Sequence, residues 1–156
     1  MNEKQLMNEA IQLAIKSVSK HHGGPFGAIV VKDGKIIGRG FNQVTTQNDP
    51  TAHAEVVAIR DACQHLNSFQ LTGCVVYTSC EPCPMCLGAI YWARPDKVYY
   101  ACTKMDAAKI GFDDQFVYDE IDKPMDKRSI TFVPLSRSEG LKALELWDSK
   151  VDKIEY

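Results

Sequence analysis

No apolar run in this sequence approaches the roughly 20 residues that a membrane-spanning helix needs, which excludes a helical membrane protein. Neither sign of charge is in surplus. The formal net charge is −2, with acids and bases mixed along the chain, so there is no footprint for tight binding to a polyanion and nucleic acid is an unexpected partner, although a local basic patch stays open. The opening residues Met1-Asn2-Glu3-Lys4 carry no apolar signal segment, so the expected location is the cytoplasm, with the six cysteines reduced rather than paired. A phosphate loop is missing too: Gly23, Gly24 and Gly27 are followed by neither Gly-Lys-Ser/Thr nor a completed G-x-G-x-x-G, and their expected task is tight turning beside a close-packed site. No repeat, low-complexity stretch or domain boundary interrupts the 156 residues, a length that suits one domain whose core needs no disulfide staples.

What is present reads as alternating helices and strands. Leu6, Ala10, Leu13, Ala14 and Val18 recur at helical spacing over residues 3–20, with His21 and His22 suited to the helix C-terminus and Gly23-Gly24 as the stop. Two β-like runs, residues 26–31 and 35–41, flank the hairpin signal Asp33-Gly34, and the unbroken apolar character of the first predicts a sheet covered on both faces. Asp49-Pro50 predicts a helix start, with Val56, Val57, Ile59, Ala62, Cys63 and Leu66 on its buried side. Residues 74–78 read as a central strand, a second helix ends before Pro95, and residues 97–101 follow as a strand parallel to the previous one. Beyond residue 102 the pattern predicts short helices over 106–110 and 114–121, a fifth strand over 130–135, and a closing helix striped by Leu141, Leu144, Trp147, Val151 and Ile154.

The chemistry concentrates at two helix starts. Cys83 and Cys86 in Pro82-Cys83-Pro84-Met85-Cys86 can grip one metal ion, and a helix N-terminus favours the thiolates that zinc needs. Thr51-Ala52-His53-Ala54-Glu55 supplies the other half of an H-x-E plus P-C-x-x-C pair, the signature of zinc deaminases. Residues two apart do not share a helical face, so His53 and Glu55 can serve one centre only if it lies over the helix start. Three protein ligands, His53, Cys83 and Cys86, leave a fourth position open, where water acquires a pKa near ~7 and Glu55 can take its proton, pass it to a ring nitrogen and help an amine leave as ammonia. Cys80, Cys83 and Cys86 also read as C-x-x-C-x-x-C, but an iron–sulfur site would lack its fourth cysteine and leave His53 and Glu55 unexplained. Cys80 is read as packing near the site, and Cys63, Cys74 and Cys102 as core or incidental thiols.

The hairpin, the two motif-bearing helices and their order resemble the cytidine-deaminase-like superfamily over roughly residues 5–110. Within it the whole chain is similar to the bacterial guanine deaminases of this fold, on Gly24-Pro25-Phe26-Gly27-Ala28, Asn42, residues 48–55, residues 79–86, Ile90-Tyr91-Trp92-Ala93-Arg94-Pro95, Gly111-Phe112-Asp113-Asp114 and Glu155-Tyr156. The resemblance implies a three-layer α/β/α fold with a mixed five-stranded sheet. It also implies one zinc per subunit on His53, Cys83 and Cys86, with Glu55 as proton shuttle in the deamination of guanine to xanthine. It further implies Asn42, Asp114, Tyr156 and Ala54 as substrate-binding residues, Phe26 and Trp92 as pocket lining, and a homodimer that exchanges the segment from about 140 to 156. Two alternatives stay open. Transfer-RNA adenosine deaminases carry the same zinc motifs, though the acidic run Asp119-Glu120-Ile121-Asp122 is a poor surface for phosphates, and cytosine or nucleoside deamination is a more distant variant. A structural zinc module of another class would require a fourth protein ligand.

Overall fold

A computed structural model describes residues 1–156. The chain divides into two compact units, Met1–Asp114 and Gln115–Tyr156. In the first, helix α1 (Glu3–Ser19) opens on a capping box in which Asn2 and Gln5 satisfy each other's backbone N–H groups. Strands β1 (Gly27–Lys32) and β2 (Lys35–Phe41) form the expected hairpin, with Asp33 and Gly34 both at positive φ, as a tight two-residue turn demands. A short helix α2 (Val44–Gln47) precedes α3 (Ala54–Leu66); β3 (Cys74–Cys80), α4 (Pro84–Ala93), β4 (Lys97–Cys102) and α5 (Lys104–Ala108) complete the unit.

The strand order is β2-β1-β3-β4. β1 runs antiparallel to both neighbours, and β4 runs parallel to β3 across α4, as the sequence predicts. Alternate residues of β1 serve the two faces: Ile29 and Val31 pack with Leu6 and Ala10 of α1 and Tyr77, whereas Ala28 and Val30 pack with Ala54, Ala58 and Ala62 of α3 and Val76. The sheet is therefore covered on both faces, and the layers are α/β/α.

Four predictions are corrected. The sheet has four strands, not five, because residues 130–135 form no strand; Pro134 cannot donate to a ladder there. Helix α3 begins at Ala54, not at Asp49-Pro50. Asp49 instead closes a local turn, its Oδ1 accepting the Thr51 N–H at 2.8 Å and hydroxyl at 2.7 Å, and His53 becomes the N-cap. The buried side of α3 is the alanine row 54, 58 and 62, with Val56, Val57 and Ile59 only partly buried. On α1, Ser17 is buried where Val18 was expected.

The second unit contains α6 (Gln115–Asp122), a 3₁₀ turn (Met125–Lys127) and α7 (Arg137–Asp148). The chain folds back after the turn so that Arg128 Nε donates to the Glu120 carbonyl at 3.0 Å and the Ser129 N–H to the Glu120 carboxylate at 2.8 Å. No residue of this unit is buried.

Candidate active site

Both motif-bearing helices start in an unusual way. His53 caps α3 and Cys83 caps α4, each in extended geometry and neither using its side chain to cap the helix. The ring and the sulfur are thereby kept for each other, while the uncapped helix N-termini lend positive potential to a thiolate-rich centre. Pro84 follows at the first helical position, where its missing N–H costs nothing. Cys86 lies within the first turn of α4, and Glu55 within the first turn of α3.

These starts bring His53, Cys83 and Cys86 together, with ligand atoms all within 4.8 Å of one another. Each sulfur lies 3.5 Å from His53 Nδ1. The Cys83 thiol is drawn down to about 4 by the hydrogen bond it accepts from Cys86, with His53 adding to the effect against burial. Cys86, the donor of that bond and buried, moves up, and contact with Cys83 raises His53. Two soft sulfurs and an imidazole nitrogen are a donor set that fits zinc. No fourth His, Cys, Asp or Glu joins the group, which removes the premise of a purely structural zinc module. Cys80 is not part of it either: its thiol donates to the Thr103 carbonyl at 3.5 Å and is pushed up to about 11, chiefly by burial. All six cysteines are free.

Glu55 lies against this centre with only 5 % of its surface exposed. Its Oε2 lies 3.4 Å from Cys86 Sγ, and its Oε1 accepts from the Thr78 hydroxyl at 2.9 Å. Burial raises its pKa, opposed by hydrogen bonds, that from Thr78 among them.

Asn42 is also buried, at the end of β2's path beyond Phe41, and its backbone is fixed by donation to the Phe26 carbonyl at 3.1 Å and by the Ser17 hydroxyl, which donates to the Asn42 carbonyl at 3.3 Å. Its Oδ1 accepts from the Gly24 and Val44 N–H groups, each at 3.3 Å, which leaves Nδ2 as the donor the side chain can offer a ligand. Phe26 meets Phe112 edge-on, centroids 5.0 Å apart. Asp114 is half-buried, and its pKa is raised first by burial and further by the proximity of Cys83. Ala54, the first residue of α3, is fully buried. Trp92 stands apart from the ligands: six residues beyond Cys86 it is rotated about 240° around α4, and it is 63 % exposed. Tyr156 belongs to the second unit and is 68 % exposed.

Thr78 and Ser17 join the site with no motif to mark them, while Gly23, expected to turn the chain tightly beside a close-packed site, does so against Asn42. Gly23 matters because a Cβ there would stand 2.5 Å from both Asn42 O and Oδ1. The one signal available for Thr78 was a hydroxyl on a strand face otherwise set by Cys74 and Val76.

Comparison with known proteins places this geometry in context. The zinc-binding region of cytidine and deoxycytidylate deaminases matches residues 1–102. Over its full 156 residues the chain is 55 % identical to the guanine deaminase of Bacillus subtilis, covering 100 % of both chains. The solved structure of a guanine deaminase from Bacillus subtilis superposes with a TM-score of 0.97, at 55 % identity, over 100 % of this chain and 99 % of that one. The tRNA-specific adenosine deaminase of Aquifex aeolicus is 41 % identical over 101 residues, 65 % of this chain and 66 % of that one.

Proposed function

The chain belongs to the zinc-binding cytidine and deoxycytidylate deaminase family, and from that premise we propose that it hydrolyses guanine to xanthine and ammonia. The observation that carries the substrate is 55 % identity to a guanine deaminase over the whole of both chains, whereas the tRNA-specific adenosine deaminase of Aquifex aeolicus is 41 % identical over 65 % of this one.

His53, Cys83 and Cys86 would hold the zinc ion. Zinc, when bound, supplies the Lewis acidity that brings the pKa of water to about 7. Glu55 is the proton carrier: it takes a proton from the attacking water and delivers it to the ring nitrogen beside the attacked carbon, then takes the proton of the newly added hydroxyl and passes it to the amine, so that the carbonyl forms as the C–N bond breaks and ammonia departs. Its burial against the ligand cluster places the carboxylate where that transfer occurs. Asn42 Nδ2 donates to an acceptor on the base edge, and Asp114 accepts from a ring N–H. Phe26, with Phe112 edge-on behind it, packs the flat face of the base, while Ala54, at the helix start between His53 and Glu55, lies against it.

The working form is proposed to be a homodimer in which a segment of the second unit crosses to the partner. Tyr156 then serves the neighbouring subunit's pocket, and Trp92, with Phe26, is proposed as pocket lining. Support comes from the second unit itself, which has no buried residue and exposes Phe116, Ile121, Leu144 and Leu146. The segment proposed to be exchanged, about 140–156, lies within this unit, which begins at Gln115. Six free thiols agree with a cytoplasmic location, and no helix is long and apolar enough to cross a membrane.

The test is substrate competition. Zinc-loaded protein offered guanine, guanosine, adenine, cytosine and a tRNA stem-loop releases ammonia fastest from guanine. Turnover of the stem-loop with none of guanine would overturn the proposal. Removal of the metal by a chelator abolishes turnover, and added zinc restores it. Glu55→Gln retains zinc and loses at least about a hundredfold in kcat.

A further inference from the structure

The geometry points to Thr78 as the positioning residue that decides which oxygen of Glu55 carries protons. The inference rests on the shuttle role proposed for Glu55. A glutamate in a helical first turn has three side-chain torsions, and rotation about the last one exchanges its two oxygens. Something must hold the carboxylate if the same oxygen is to meet the attacking water in every cycle. Thr78 is placed to do so. It sits in β3, paired with Ala28 on one side and Tyr100 on the other, and is 1 % exposed. Its backbone therefore has little freedom.

The Thr78 hydroxyl donates to Glu55 Oε1 at 2.9 Å. Oε2 is left as the oxygen beside the ligand cluster, 3.4 Å from Cys86 Sγ. The hydroxyl also lies 3.1 Å from the Cys80 carbonyl, a second acceptor in the same strand, so it stays satisfied when the carboxylate is occupied elsewhere. Thr78 is buried and its hydroxyl meets the Glu55 carboxylate, so it acts on the reaction through that carboxylate. The β-branched shape suits a strand without any such role. Only the hydroxyl distinguishes the two explanations.

Thr78→Val keeps the shape and removes the hydroxyl; Thr78→Ser keeps the hydroxyl and trims a methyl. The expected result for Thr78→Val is a fall in kcat of roughly ten- to a hundredfold, the size of a hydrogen bond to a charged group. KM for guanine should move less than about twofold, with zinc content and thermal midpoint near wild type, since packing and ligands are untouched. Thr78→Ser should recover most of the loss. A crystal structure of Thr78→Val should show the Glu55 carboxylate rotated or in more than one orientation. Unchanged kcat in Thr78→Val would overturn the inference, as would a loss explained wholly by missing zinc or by a parallel rise in KM. Glu55→Gln run alongside separates the two levels. An inactive Glu55→Gln with a fully active Thr78→Val sinks only the role of Thr78, whereas an active Glu55→Gln removes the shuttle on which it rests.

Discussion

Gly23 shows how a single hydrogen in place of a methyl can decide substrate binding. A Cβ at this position would lie 2.5 Å from both Asn42 O and Asn42 Oδ1, closer than real atoms approach. Asn42 cannot yield freely, because Ser17 holds its carbonyl and two backbone N–H groups hold its Oδ1. Gly23→Ala should therefore displace the Asn42 amide and lower kcat/KM for guanine by about ten- to a hundredfold, mostly through KM, with zinc content unchanged. Steady-state kinetics and metal analysis of the variant check this; an unchanged KM would take Asn42 out of substrate binding. The contrast with the metal centre explains what a sequence can reveal at this scale. His53, Glu55, Cys83 and Cys86 were legible because zinc accepts few residue types and two helix starts impose fixed spacings. Ser17 and Thr78 act through partners 25 and 23 positions away, and nothing in their local pattern announces that; Gly23 reads as a tight turn, but not as the neighbour of Asn42.

At the scale of elements, α3 is seated on β2 by absence of side chains. A Cβ at Gly40 would stand 2.1 Å from Ala54 O and 2.5 Å from Ala58 N, and one at Gly38 would stand 2.5 Å from Ala58 O and 2.7 Å from Ala62 Cβ. Ala54, Ala58 and Ala62 are all fully buried against this strand. The expected Val56, Val57 and Ile59 face lost to alanine because helix and strand approach too closely for a larger residue, a fact carried by the glycines of a different element and invisible in the helix's own periodicity. Either Gly→Ala change overpacks the contact and should cost about 1–3 kcal/mol of stability, measured by denaturant unfolding. The two should differ in function. Gly40→Ala strikes the first turn of α3, beside His53 and Glu55, and should weaken zinc binding; Gly38→Ala strikes one to two turns later and should leave zinc affinity near wild type. Equal zinc affinity in both would show that the helix start is not positioned by this contact. A pH effect belongs to α5. Asp106 accepts the Thr103 N–H and hydroxyl, each at 2.9 Å, and the backbone bond from Thr103 is the main cause of its lowered pKa. A depressed carboxylate contributes stability above its unfolded value, near 3.8, and loses that contribution as pH falls through the lower folded value. Protection of the Thr103 amide, its exchange rate compared with the intrinsic rate at the same pH, should therefore fall below about pH 4, and Asp106→Asn should remove most of this pH dependence.

For the molecule as a whole, the decisive question is where each active site finds its C-terminal residues. The zinc-bearing unit ends at Asp114 with a covered four-stranded sheet and a continuous core. The Gln115–Tyr156 unit has helices but no buried residue, and a segment of roughly 40 residues is too small to stabilise itself by its own core. Its apolar side chains, Trp147 and Leu144 among them, need a surface outside the unit. If that surface belongs to a second copy, a site draws Glu55 from one chain and Tyr156 from the other. Two inactive proteins can then repair each other. A chain lacking Tyr156 keeps Glu55, and a Glu55→Gln chain keeps Tyr156. After equal mixing, dissociation and reassembly, half of the dimers are hybrids. One of the two sites in each hybrid pairs an intact Glu55 with an intact Tyr156, so activity should return to about a quarter of the wild-type value per site. Sites built within one chain predict no recovery, because every site would then lack one of the two residues. Mass measurement of the mixture confirms that hybrids form, so that absence of recovery in their presence refutes the exchange.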